Sequence, residues 1–193
     1  FNLNYNDVGE GTPVLMLHGW GSSCDAYNFM TKTFSDRFRM VSLDFPGFGK
    51  SDMINEPWDV EKYCQITLKF IEKLGITDYI IVGHSFGGRV IIKLAGTDRI
   101  NPKKIVLIDS AGLIRKKSFS QKLKITKFKI AKRIFGTKLG EKFFPDLIEK
   151  MRKKNGSADY AAASPTMRKS MVSVINEDLS ENLPKILAPT LLI

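Results

Sequence analysis

The chain has 193 residues, of which 43% are hydrophobic and 26% charged, and a net charge of +10. That length fits one domain with an inserted subdomain and suffices for a substantial core, and the composition is that of an ordinary soluble globular protein. No apolar run is long enough to cross a membrane, and Phe1-Asn2-Leu3-Asn4-Tyr5 has no signal-peptide pattern. Cys24 and Cys64 lie far apart, which points to a reducing, cytoplasmic home and to two small semi-buried apolar side chains. The charge is uneven. Residues 1–114 carry 12 Lys/Arg against 13 Asp/Glu, whereas residues 115–169 carry 17 against 4, or +13.

In chain order, Leu3-Asn4-Tyr5 reads as a strand, turned by Gly9 and Gly11. Val14-Leu15-Met16-Leu17 is a wholly apolar strand ending in His18-Gly19-Trp20-Gly21, and a helix follows from about Tyr27 to Phe34. Phe38–Asp44 is the next strand, closed by Phe45-Pro46-Gly47-Phe48-Gly49. Asp59 caps a helix with Val60, Tyr63, Cys64, Phe70, Ile71 and Leu74 mostly on one face, ended by Gly75. Tyr79-Ile80-Ile81-Val82 runs straight into Gly83-His84-Ser85-Phe86-Gly87-Gly88, and Val90–Ala95 reads as a helix packed on a sheet. Lys104–Asp109 is another buried strand. Short apolar strands alternating with helices indicate an α/β fold: a mostly parallel sheet covered by helices on both faces.

From about Gly112 the pattern changes to amphipathic helical stretches. One is marked by Leu123, Ile125, Phe128, Ala131, Ile134 and Phe135; another by Met167, Met171, Val174 and Ile175 behind Ser164-Pro165. Leu183-Pro184 and Pro189–Ile193 return to the strand pattern. The expected organisation is a core over residues 1–112, a basic helical cap over 113–180 and a return to the core over 181–193. A start without methionine and a stop inside a strand lead to the expectation that residues are missing from both ends.

A buried strand, a turn with serine at its apex and a helix give Gly-x-Ser-x-Gly its mechanical meaning. The turn is too sharp for side chains at Gly83 and Gly87, and the following helix puts its positive end beneath Ser85. The plainer alternative is a glycine-rich turn that happens to carry a serine.

With His18-Gly19-Trp20-Gly21 after one strand, Asp44-Phe45-Pro46-Gly47-Phe48-Gly49-Lys50-Ser51 after the next, and Gly83–Gly88 after a third, the chain resembles the α/β-hydrolase superfamily, in its capped esterase and carbon–carbon hydrolase branch. The resemblance covers the whole chain. It implies that Ser85 is the nucleophile and that the backbone N–H groups of Phe86 and Trp20 form the oxyanion hole, with His18, Gly19, Gly83, His84 and Gly87 supporting the motifs. Trp20 also reads as a buried aromatic anchor, which its backbone role leaves open. Such a hydrolase needs a histidine base and an acid to orient it. His18 belongs to the oxyanion loop and His84 flanks the nucleophile, pointing away in this fold. The family's acid and histidine are expected beyond Ile193, with Asp109 the alternative acid, or else a polar strand-end residue.

Gly47-Phe48-Gly49-Lys50-Ser51 is not a phosphate loop, because the position that needs the first glycine is Asp44. No Cys/His spacing supports a metal and no G-x-G-x-x-G follows a strand, so neither metal nor cofactor is expected. The basic stretch reads either as a solvated face of lid helices or as attraction for an acidic carrier protein or anionic ligand; nucleic acid is not expected. Two functions stand. One is a cofactor-independent serine hydrolase cleaving a small ester, thioester or related carbonyl compound under a lid lined by Phe128, Phe135, Phe143 and Phe144. The other is a catalytically incomplete binding module that recognises an acidic partner through the basic cap.

Overall fold

The computed structural model describes residues 1–114, Thr126, Tyr160 and 162–193. The chain forms two compact units, Phe1–Ile114 together with Pro165–Ile193, and Arg115–Ser164. In the first unit β1 (Tyr5–Val8), β2 (Thr12–Leu17), β3 (Phe38–Leu43), β4 (Ile80–His84), β5 (Lys104–Ile108) and β6 (Thr190–Leu192) make one sheet in the order β1-β3-β2-β4-β5-β6. β1 runs antiparallel to β3 and every other pairing is parallel. The mostly parallel α/β sheet expected from the alternating pattern is therefore present.

β2 lies between β3 and β4, with Leu17 opposite both Leu43 and Gly83. Leu15, Met16, Leu17, Val41, Leu43 and Ile81 are shut off from water. Each such side chain contributes on the order of 2 kcal/mol of burial. Because these strands are parallel, their carboxyl ends share one edge, and the segments after them gather there: 18–23 after β2, 44–51 after β3, Ser85 after β4 and 109–112 after β5.

Flanking helices are α1 (Asn28–Phe34), α2 (Val60–Lys73), α3 (Phe86–Gly96) and α4 (Pro165–Asn176). Asp59 caps α2 by accepting the Lys62 N–H at 3.0 Å, and the helix buries Val60, Tyr63, Cys64, Thr67 and Phe70. α2 packs on α3, and Lys93 of α3 pairs with Glu61 of α2; Glu61 also pairs with Arg99, just past α3, and Lys93 with Glu177, just past α4.

Three expectations differ from what is observed. α4 belongs to the core unit rather than to a cap reaching residue 180, because Met167, Ser170 and Val174 bury against the core and the Trp58 N–H donates to Ser170 Oγ at 2.8 Å. Ile175, placed on the apolar face of that helix by its spacing, is 53% exposed. Leu183-Pro184 is not strand-like but sits in a short 3-10 helix, Ser180–Lys185. The helix marked by Leu123–Phe135 and the lid phenylalanines lie outside the described residues. Cys24 and Cys64 are both free and buried.

Candidate active site

Ser85 stands between β4 and α3 with φ 48° and ψ −104°, a left-handed backbone that costs a non-glycine residue about 1–2 kcal/mol. Three hydrogen bonds hold it: its N–H donates to the Ile108 carbonyl at 3.0 Å, and its carbonyl accepts from Ala111 at 3.1 Å and Arg89 at 3.3 Å. The glycines around it are there for space. A Cβ on Gly83 would lie 2.6 Å from the Gly88 nitrogen, and one on Gly87 only 2.0 Å from the Leu17 carbonyl oxygen. α3 opens at Phe86, so its first-turn N–H groups and the positive end of its dipole lie next to Ser85.

The segment after β2 comes up against this turn. A Cβ on Gly19 would sit 2.7 Å from Nδ1 of His84 and 3.5 Å from Cβ of Ser85, so a larger residue there would have to displace the exposed His84 ring. Among the described residues, neither the Trp20 N–H nor the Phe86 N–H donates a hydrogen bond to the backbone. The Trp20 ring is a half-buried anchor, set edge-on to Phe48 at 4.9 Å and to Phe86 at 5.3 Å. Phe45, Tyr63 and Trp58 extend this group of rings, with Phe45–Tyr63 centroids at 5.6 Å and Trp58–Tyr63 at 5.2 Å.

His18 is fully buried. Its Nε2 accepts the Phe45 N–H at 3.0 Å, which leaves the proton on Nδ1, 2.7 Å from the Gly19 carbonyl. Burial lowers its pKa from the ordinary 6.5, against the opposing pull of the Gly19 carbonyl and Asp44. It is a neutral staple between the β2 and β3 loops, with both ring nitrogens occupied. His84 is exposed and lies against Gly19.

Asp44 was read from sequence only as part of a motif, yet it organises the loops. Oδ1 accepts the Cys24 N–H at 2.6 Å, Oδ2 accepts from Lys50 N–H and Asn4 Nδ2, each at 2.8 Å, and its own carbonyl takes the Ser51 hydroxyl at 2.7 Å. Burial pushes its pKa up, but these donors outweigh it and hold the carboxyl below its ordinary value. The neighbouring Cys24 thiol is pushed up to about 12 by burial and by Asp44. The clue in the sequence is Gly49, φ 54°, where a Cβ would strike Asp44 Oδ2 at 2.0 Å.

Asp109 is exposed just past β5, with φ 40° and its N–H bonded to the Ile193 carbonyl at 2.9 Å. It sits next in the chain to Ile108, whose carbonyl holds Ser85. Among the described residues no cluster of three or more His, Cys, Asp and Glu is placed to bind a metal. What the arrangement offers is a turn with a half-buried serine at its apex and, beside it, two N–H donors, Trp20 in the loop after β2 and Phe86 at the start of α3, with no backbone partner among the described residues.

The chain is 25% identical over 205 residues to the AB hydrolase superfamily protein YisY of Bacillus subtilis, covering 99% of this chain and 76% of that protein. Two further curated relatives, 33% and 32% identical, match over 58% and 54% of this chain, and the matches span 40% and 29% of their own length. Among solved structures, a bromoperoxidase from Bacillus anthracis superposes with TM-score 0.72 at 23% identity, over 98% of this chain and 75% of that one. An esterase from Exiguobacterium antarcticum does so with TM-score 0.69 at 22% identity, over 98% and 75%. These structural likenesses speak to the fold alone. The model of the alpha/beta hydrolase fold family matches residues 12–182, and the chain belongs to that family.

Proposed function

We propose that the protein is a serine hydrolase acting on a small ester, thioester or related carbonyl compound. The observation that carries this reading is the strained backbone of Ser85, φ 48°, held between β4 and α3 beside N–H donors with no backbone partner among the described residues. Strain kept in place by surrounding structure points to function. Ser85 Oγ attacks the carbonyl carbon, its proton passing to a histidine base. The carbonyl oxygen becomes an oxyanion that the N–H groups of Trp20 and Phe86 stabilise. The alcohol or thiol then leaves and water hydrolyses the acyl-serine. Loss of one such donor costs roughly 10²–10³-fold in rate. His18 is not the base, since both its nitrogens are engaged inside the core.

Membership of the family supports hydrolase chemistry, and the Exiguobacterium esterase has the same fold with ester hydrolysis on it. A second reading, recognition of an acidic partner, draws on the +13 charge of residues 115–169. One experiment separates the two. A fluorophosphonate should label Ser85 in the natural protein, and Ser85→Ala should cut ester turnover by about 10⁴-fold or more with unchanged melting. Retained turnover in that variant sinks the hydrolase reading, and an inert Ser85 favours the binding module.

A further inference from the structure

The Trp20 N–H belongs to the same peptide unit as the Gly19 carbonyl. That peptide is trans, so the two groups point in opposite directions, and whatever fixes the carbonyl also aims the N–H. Two donors fix it. The Ser22 N–H reaches the Gly19 oxygen at 3.2 Å within the loop after β2, and Nδ1 of His18 lies 2.7 Å from the same oxygen. On the other side of the imidazole, Nε2 meets the Phe45 N–H at 3.0 Å.

Both ring contacts demand one tautomer. A backbone N–H can only donate, so Nε2 is bare; a carbonyl can only accept, so Nδ1 carries the proton. The ring is wholly buried and set edge-on to Phe45 and Phe48, with centroids at 5.1 and 5.6 Å. A packed ring tied at both nitrogens leaves the Gly19 carbonyl little room to turn. The Ser22 N–H is a weaker constraint, because it sits three residues along the same loop and moves with it, whereas the ring is tied to the loop after β3.

We infer that His18 is a positioning residue for the oxyanion site: its Nδ1–H holds the Gly19 carbonyl so that the Trp20 N–H of the same peptide is aimed at the carbonyl oxygen of a bound ester. The inference rests on the reading in which Ser85 attacks and the Trp20 N–H receives the oxyanion. Such a donor accelerates the reaction only when it is already in place, about 2.7–3.1 Å from where the charge develops. A peptide free to rotate would for part of the time present its carbonyl, the negative end of its dipole, to that charge. His18 itself touches no substrate and exchanges no proton during turnover.

Two substitutions separate the two contacts of the ring. His18→Asn sets an amide at the place of Nδ1 and can still donate to Gly19, whereas His18→Gln sets its amide at the place of Nε2 and can still accept from Phe45. In the natural protein, with an activated ester such as p-nitrophenyl acetate, kcat should fall about tenfold in His18→Gln but only about threefold in His18→Asn, with KM nearly constant in both. A staple that merely joins the loops after β2 and β3 would give the reverse order, since the Phe45 contact is the one that joins them. Equal losses, the reverse order, or wild-type kcat in His18→Gln overturns the inference. If either variant fails to fold, nitrogen-15 shifts of the His18 ring in the wild-type protein decide: a proton on Nδ1 upholds the inference, and one on Nε2 overturns it. A natural protein that neither turns over esters nor reacts with fluorophosphonate at Ser85 removes the hydrolase reading and this inference with it; an active protein with the reverse order of variants removes the inference alone.

Discussion

His18 and Asp44 are both withdrawn from water and both titrate below their ordinary values, yet one is kept neutral and the other charged. The reason is what each is offered: the His18 ring must accept the Phe45 N–H, whereas Asp44 collects donors from Cys24, Lys50 and Asn4. A histidine whose folded pKa is depressed binds a proton more readily when unfolded. Its contribution to stability is complete above 6.5 and is lost as pH falls from there toward the folded pKa. Asp44 behaves alike in a lower window, beginning at its ordinary 3.8. Melting temperature plotted against pH should therefore decline in two stages, and His18→Gln should erase the first while sparing the second. A profile unchanged by that substitution would refute the neutral-staple role of His18. At this scale the glycines of the serine turn were legible, because steric demand is local. The work of Asp44 was not, since it depends on which loops the sheet brings to one edge.

Among elements, α4 shows how a helix can be foreseen and its buried face misjudged. Ser164-Pro165 and the apolar spacing announce it, but spacing alone favours Ile175 for the buried side, and the structure buries Ser170 instead. The cause lies 112 positions away in the chain: the Trp58 N–H needs an acceptor, and Ser170 Oγ supplies it. Ser170→Ala should leave that N–H buried and unpaired, destabilising the protein by about 1–3 kcal/mol. Urea unfolding measures this directly, and a loss well under that range would mean that water reaches Trp58. The strands were easier to place, because wholly apolar runs such as Val14–Leu17 suit only a sheet covered on both faces. Their order, with β2 between β3 and β4, is a matter of topology that no single run of residues encodes.

For the molecule as a whole, the chain passes from one unit to the other twice, between Ile114 and Arg115 and again between Ser164 and Pro165. Helical spacing alone puts the second crossing later, at 180/181, because a helix docked on the core and one in an insertion share the same periodicity. The near-neutral charge of residues 1–114 against the +13 of residues 115–169 remains the sharpest contrast along the chain. The rings around Trp20 also make the protein its own optical probe. Its two tryptophans, Trp20 and Trp58, both flank Tyr63, with ring centroids 6.4 and 5.2 Å from it. Ultraviolet emission from the native protein thus originates beside the serine turn, and tyrosine excitation at that spot feeds the same emitters. Titration with a non-hydrolysable ester analogue should shift or quench that emission without any dye attached. An emission spectrum indifferent to a saturating analogue would mean that ligands settle elsewhere.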